Sequence, residues 1–326
     1  MSEPKTHIPF STTLCKNKKQ VYDLEANCGF FSQFFVFLSK YLTAKKEERI
    51  FYFNDVNWRY RNNLGMNDYF TIDNNKLEQE LDRNNHMEFV TDELTNEFSL
   101  IDYREAIKDV YILKPKLITQ YKTMTNIINL PEKYNSIYVR WGDKMISEAK
   151  YVDVSMYINK LISLNVDNMN LFINSDDYNA IYFFQEFINN HKLPFILYFI
   201  ASPSEAGGTI VSEDWRGNFT HVKKSIEQFD YHERKHHTEK LLIAIEIMSK
   251  SQNIILDYQS NVSRFIKLYC DPTICTVHNV FGQEPDETIP ALHPARGFRI
   301  SYGIDILGNY VNIPKEYVSP KNPNTT

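Results

Sequence analysis

From Tyr134 onward the apolar positions switch repeatedly between a period of two and a period near 3.6. Ser136–Arg140 (SIYVR) is β-branched or aromatic enough for a buried strand and ends in a polar cluster, Arg140, Asp143, Lys144 and Glu148. Beyond it Val154, Tyr157, Ile158, Leu161 and Ile162 recur at helical spacing. The same alternation predicts strands at Asn170–Asn174, Phe195–Ile200 and Asn253–Asp257, and helices at Val154–Leu164, Asn179–Asn189, Thr238–Ser249 and Val262–Leu268. Strands separated by helices of this length imply a parallel, doubly wound α/β sheet, Rossmann-like in its alternation. Ala201–Tyr231 has no clear period, carries Gly207-Gly208, and is long enough for a functional loop over a site.

The first part of the chain is less regular. Residues 1–24 are polar and read as an arm; a glycine turn at Cys28-Gly29 then opens an aromatic helix, Phe34–Leu42, and Arg49–Phe53 reads as a strand. Trp58 and Tyr60 divide evenly between a core role and shaping a cleft. Residues 71–130 are charged and helix-prone, and Pro131-Glu132-Lys133 marks a boundary. The division predicted is an arm (1–24), a mixed α/β domain (25–130), the regular α/β domain (131–285) and an extension (286–326) whose Asn309–Val318 suits a strand or hairpin before a polar tail.

The length of 326 residues suits two domains with a sizeable core. A formal charge of −5 with no long basic run argues against phosphate-backbone binding to nucleic acid. The longest apolar runs, Gly29–Ser39 and Leu193–Ala201, fall short of the roughly 18 residues a membrane helix needs. MSEPKTHIPFSTT has no apolar core of a signal peptide, so the chain reads as soluble and cytoplasmic. Cys15, Cys28, Cys270 and Cys275 read as free thiols rather than a disulfide or zinc framework, and His236-His237 as solvated.

The strand-ending loop at Arg140 carries the chemistry. In open α/β sheets ligands bind outside the carboxyl ends of strands. There, two cations beside two carboxylates can stabilise an anionic leaving group and move a proton; the alternative is a surface ion-pair cluster. Asp176-Asp177 ends another strand. Two carboxylates are too few hard ligands to specify Mg²⁺, and the pair suits orienting Arg140 or Lys144, accepting the hydroxyls of a ligand, or capping the next helix. Ser260 and the first N–H groups of the last helix, like those after Gly29, suit a phosphate at a helix N-terminus.

Val139-Arg140-Trp141-Gly142-Asp143-Lys144 with Glu148, then Tyr157, resembles the first motif of the α-1,6-fucosyltransferase family of N-glycan core and nodulation-factor fucosyltransferases. Three further segments fall in the family's order. Asn27–Gln33 is similar to its glycine-rich first turn, with Phe31 replacing a later glycine. Phe172–Asp177 is similar to a strand ending in T-D-D, and Asp257-Tyr258-Gln259-Ser260-Asn261-Val262-Ser263-Arg264 to T-x-S-S-x-V-x-R. The resemblance spans Asn27 to Gly282. It implies a two-domain GT-B-like inverting glycosyltransferase, metal-independent, taking a sugar from a nucleotide donor, best GDP-fucose, to a hydroxyl of a glycan acceptor. It further implies Glu148 as general base assisted by Lys144, and Arg140 clamping the β-phosphate with Asp143 locking it. Tyr157, Asp176, Asp177, Ser260, Asn261, Gly29 and Ser32 complete the donor site. Animal members of the family are Golgi proteins held by an N-terminal anchor, so a Golgi location here requires an anchor ahead of this sequence.

The departures concern the donor. Trp141 stands where the family has a second arginine, Tyr138 replaces a guanine-contacting histidine, and Ala244 a base-reading aspartate. These leave open another nucleotide sugar, or a non-catalytic nucleotide- or carbohydrate-binding relative. A purely structural α/β protein does not account for four ordered motifs. Asn261-Val262-Ser263 also spells a glycosylation sequon, which its expected place in a cleft disfavours.

Overall fold

The computed structural model describes residues 20–24, 29–73, 77–79, 88–89, 98–141, 152–205 and 229–282. They form two parallel sheets with helical crossovers. The first has the order β3-β2-β1-β4, from β1 (Gln20–Asp23), β2 (Phe51–Asn54), β3 (Leu77–Gln79) and β4 (Glu88–Phe89). The second has the order β7-β6-β5-β8-β9, from β5 (Asn135–Val139), β6 (Asn170–Ser175), β7 (Ile196–Tyr198), β8 (Asn253–Leu256) and β9 (Thr276–Asn279). Every pairing between these strands is parallel. The strand order of the second sheet reverses between β5 and β8, and at such a reversal the flanking crossovers leave on opposite faces and open a crevice at the carboxyl edge.

Helices α1 (Phe30–Lys46), α2 (Leu100–Val110) and α3 (Pro115–Ile127) accompany the first half of the chain. The second sheet carries α4 (Val154–Ser163), α5 (Tyr178–Asn190), α6 (Tyr231–Ser249) and α7 (Asn261–Tyr269). Each of these four starts on a side chain that accepts one of its orphan N–H groups: Asp153, Asp177, Asp230 and Ser260. None of the described helices is long and apolar enough to cross a membrane.

All five residues of β5 are buried, as a central parallel strand covered on both faces must be. Its alternation feeds two cores. Ile137 and Val139 join Leu171, Ile173 and Ile255 under α4 and α5, while Tyr138 joins Phe172, Ile254 and Leu256 on the opposite face. That second core runs without a break into the aromatic side chains of α1 and α2. Phe31 lies 4.3 Å from Phe265 between ring centroids, and Tyr111 lies 4.7 Å from Phe265 and 4.8 Å from Tyr269. The two sheets thus share one aromatic seam.

The structure changes several expectations. Gln20–Asp23, assigned by polarity to an arm, is an inner strand of the first sheet, with Tyr22 and Leu24 buried. α1 starts four residues before Phe34, and α6 starts seven before Thr238, at a capping box of Asp230 and Glu233. Trp58 and Tyr60 are core aromatics packed tilted and edge-on against Phe30. Cys270 and Cys275 are buried free thiols, while Cys15 and Cys28 lie outside the described residues. So do Asn309–Val318, the tail, and most of Ala201–Tyr231, of which Pro203–Glu205 forms a single 3-10 turn.

After β2 the chain makes a tight loop around a buried carboxylate. Asp55 is fully buried, accepting from Arg61 Nη1 at 2.9 Å and from the Met66 N–H at 2.7 Å. Gly65 has φ +64°, and a Cβ there would meet Asp55 Oδ2 at 1.9 Å.

Candidate functional site

At the carboxyl edge of the second sheet, where its order reverses, the ends of β5, β6 and β8 bring charged side chains together. Arg140 follows β5 directly, and its Nη1 donates to Asp176 Oδ2 at the end of β6. The other oxygen of Asp176 accepts the Trp141 N–H at 3.0 Å. The carboxylate thereby fixes both the guanidinium and the backbone that carries it. β5 and β6 pair in register from Asn135↔Leu171 to Val139↔Ser175, so the two groups that follow them meet as a consequence of strand register.

Asp177 does different work. It is fully buried and caps α5, accepting from the Asn179 N–H at 2.9 Å. Of the alternatives for the pair, Asp176 orients Arg140 and Asp177 is the helix cap.

Tyr157 on α4 is buried and reaches across the sheet edge: its hydroxyl donates to Asp257 Oδ2 at 3.3 Å. Asp257 follows β8 and is 3% exposed; its other oxygen accepts the Gln259 N–H at 2.9 Å. Burial lifts this carboxyl to about 6, against the opposing pull of the Gln259 N–H, the Tyr157 hydroxyl, Arg140 and Arg264. Burial also lowers the guanidinium of Arg264, with Asp257 acting to raise it. The sequence pattern had pointed to Tyr157 as a donor contact and had not singled out Asp257; the fold makes the two a buried pair behind Arg140.

Ser260 is buried, and its hydroxyl caps α7 by accepting the Val262 N–H at 3.2 Å. Asn261 ties the two halves of the chain: its Nδ2 donates to Ser32 Oγ on α1, and its Oδ1 accepts from Arg264 Nη1 at 2.9 Å. Gly29, the N-cap of α1, has extended backbone and open space where a Cβ would sit. The N-termini of α1 and α7 are therefore joined through Ser32 and Asn261, and both present partial positive charge toward the same region.

Around Arg140 on its other flank lies a group that the sequence pattern did not single out. Lys240 on α6 pairs with Glu205, which also accepts the Ser202 N–H at 2.6 Å. Burial works to raise the Glu205 carboxyl, but Lys240, the Ser202 N–H and His237 hold it below its ordinary range. His236 is exposed as expected, whereas His237 is half-buried against the Phe229 ring at 5.6 Å. Burial first, then the charges of Arg140, Lys240 and His236, bring its imidazole down to about 4, with Glu205 opposing; it is neutral at pH 7. Adjacency in sequence could not show that α6 turns one histidine inward.

Trp141 and Tyr138 point into the cores, at 2% exposure each; Trp141 packs on Phe183 at 5.6 Å. Ala244 is likewise buried in α6. Asp143, Lys144 and Glu148 lie outside the described residues. Among the described residues no three His, Cys, Asp or Glu side chains converge as metal ligands.

A cavity of about 650 Å³ opens at the opposite, amino edge of the sheet, lined by Lys133, Asn135, Asn168, Asn170, Gln252 and Asn253. Its amides are engaged with one another. Asn253 donates to Asn135 Oδ1 at 2.9 Å, Asn135 to the Asn168 carbonyl at 2.7 Å, and Asn170 to Asn168 Oδ1 at 2.8 Å. This ladder ties the starts of β5, β6 and β8, and the carboxyl edge, where the strand order reverses, is the better ligand site.

No protein-family model matches the chain, and no curated protein matches its sequence. Among solved structures it is similar to NodZ α-1,6-fucosyltransferase soaked with GDP-fucose, at 10% identity and TM-score 0.50, over 78% of this chain and 93% of that one. The fucosyltransferase NodZ from Bradyrhizobium gives 9% identity and TM-score 0.50, over 78% and 94%. POFUT1 in complex with GDP gives 8% identity and TM-score 0.48, over 80% and 98%. At these identities the likeness to NodZ is one of fold: the chain is α/β with a parallel five-stranded sheet and a fucosyltransferase-like arrangement of elements.

Proposed function

We propose that this chain is an inverting, metal-independent glycosyltransferase that moves a sugar, best L-fucose from GDP-fucose, to a hydroxyl of a glycan acceptor. The observation that carries the reading is Arg140, held by Asp176 at the point of strand-order reversal, beside the N-terminus of α7. A planar guanidinium fixed in this way suits a β-phosphate, and helix N–H groups suit the rest of the diphosphate. The fold likeness to NodZ supports the same reading. In this scheme residues 25–130 and 131–285 act as the two domains of a GT-B enzyme, with the donor on the second and the acceptor between them.

In the reaction an acceptor hydroxyl attacks the donor's anomeric carbon from the face opposite the diphosphate. Glu148, assisted by Lys144, takes the proton; Arg140 and the α7 N-terminus stabilise the departing nucleotide. In this scheme Asp143 locks Arg140, which Asp176 also holds.

Calorimetric titration with GDP, UDP and ADP, with and without chelator, tests the donor. GDP is expected to bind most tightly and to be indifferent to chelator. Binding that needs added divalent metal overturns the metal-independent reading, and no binding of any of the three overturns the nucleotide-sugar reading. Arg140→Lys is expected to weaken GDP binding by about ten- to a hundredfold, the loss of one charge-assisted hydrogen-bond pair. Unchanged affinity would make Arg140 a partner of Asp176 only.

A second reading has a specific observation behind it. Trp141 and Tyr138 are core residues, so the cleft has one strand-end arginine and no side chain from these positions to read the base. That favours a nucleotide- or carbohydrate-binding relative without transferase activity. Hydrolysis of GDP-fucose in the absence of acceptor separates the two: slow release of fucose is expected of the enzyme and none of the binder.

A further inference from the structure

Asp257 stands where the family-like pattern T-x-S-S-x-V-x-R has threonine, and it brings a buried carboxylate to the floor of the proposed phosphate site. Three elements face it. Tyr157 on α4 donates to it, Arg140 after β5 and Arg264 on α7 act on it electrostatically, and the Gln259 N–H closes its remaining side. Beyond Arg140, on α6, lies neutral His237. The carboxylate is thus ionised only because cations and donors surround it in a place with little water.

A diphosphate bound to Arg140 competes for those cations and adds negative charge to the same enclosed space. Resting on the donor reading above, we propose that Asp257 is driven toward its protonated form, taking up a fraction of a proton from solvent, when a nucleotide sugar binds beside Arg140, which makes donor affinity depend on pH through a residue that never touches the donor. Asp257 is a positioning residue here: its charge state sets how much of Arg140 is available to phosphate. The sign follows from linkage. The empty site holds Asp257 ionised above about pH 6, where its carboxyl titrates, and the bound state favours the protonated form, so affinity falls as pH rises. A coupling of one unit or slightly more gives a fall of about five- to tenfold between pH 6 and pH 8. Of the described neighbours, His237 titrates near 4, Arg264 remains charged, Glu205 is held below its ordinary range, and Asp176 is held by Arg140, so the Asp257→Asn variant isolates the contribution of Asp257.

The test is calorimetry of GDP-fucose binding at pH 7 in two buffers of different ionisation enthalpy, since its diphosphate, unlike the terminal phosphate of GDP, does not titrate near neutrality. Net proton uptake is expected for the parent protein and none for Asp257→Asn, whose amide mimics the protonated acid and whose affinity should be flat from pH 6 to 8. Tyr157→Phe removes a donor that favours the carboxylate and should move the fall in affinity to higher pH, which tests the idea even if Asp257→Asn does not fold. Tight binding with no proton uptake, or uptake retained in Asp257→Asn, overturns this proposal and leaves the donor reading standing. Absence of GDP-fucose binding at every pH overturns both.

Discussion

Glu148→Gln is expected to lower sugar transfer by about 10²–10⁴-fold, the usual cost of deleting a general base, with nucleotide affinity and melting temperature nearly unchanged. Among the described residues, the carboxylates of the sheet edge have other work. Asp176 is engaged by Arg140 and the Trp141 N–H, Asp177 is a buried helix cap, Asp257 lies beneath Tyr157, and Glu205 is paired with Lys240. A base must be released to take a proton from an acceptor hydroxyl, and each of these four is already engaged by a hydrogen-bond donor. Glu148, eight residues after Arg140, sits where the family-like motif puts its proton acceptor. The check is transfer rate with GDP-fucose and a panel of glycans, alongside GDP titration. Transfer near the parent rate would remove Glu148 from the mechanism without touching the fold.

The largest expected loss of stability is at Gly65→Ala. A left-handed backbone disfavours any Cβ by about 1 kcal/mol. Here the added carbon would also occupy the space of Asp55 Oδ2. Asp55 cannot yield cheaply. It is fully buried, and moving it breaks its contacts to Arg61 and the Met66 N–H. Disrupting a buried pair costs about 3–5 kcal/mol, so we expect a total of at least that size and a drop in Tm of roughly 6–15 °C. Scanning calorimetry at a fixed scan rate measures it. A shift within 2 °C of the parent would mean the loop rearranges freely around the carboxylate, contrary to its tight geometry.

Much of the second sheet is legible in the sequence because its strands are buried on both faces and its helices are amphipathic, so periodicity reports them directly. β5 and α4 lie within one residue of where the pattern puts them. The elements that escaped did so for physical reasons. β1 is four residues, half of them polar, and exists because β2 and β4 supply partners on either side, which no local window contains. The first turns of α6, YHERKHH, have no apolar period and depend on the Asp230 and Glu233 capping box, a signal that spacing alone could have found. β9, a partly exposed edge strand, has too little apolar pattern to announce itself. At the site the pattern gave Arg140 and Asp176 but not Asp257, since a strand-ending aspartate reads the same whether it faces solvent or, as here, a tyrosine from another helix. Which of Asp176 and Asp177 holds the arginine was likewise a matter of register between β5 and β6.

The aromatic seam through Phe31, Phe265, Tyr111 and Tyr269 bears on how firmly the two sheets are joined. Pulling the sheets apart would wet these rings at roughly 1.5–3 kcal/mol each. The seam therefore resists separation of the sheets. Ser32 and Asn261 are hydrogen-bonded at the ends of the two helices that it joins, so the apolar contact and the polar tie hold the same two helix ends together, and the donor-side groups at those ends inherit a fixed spacing from the core.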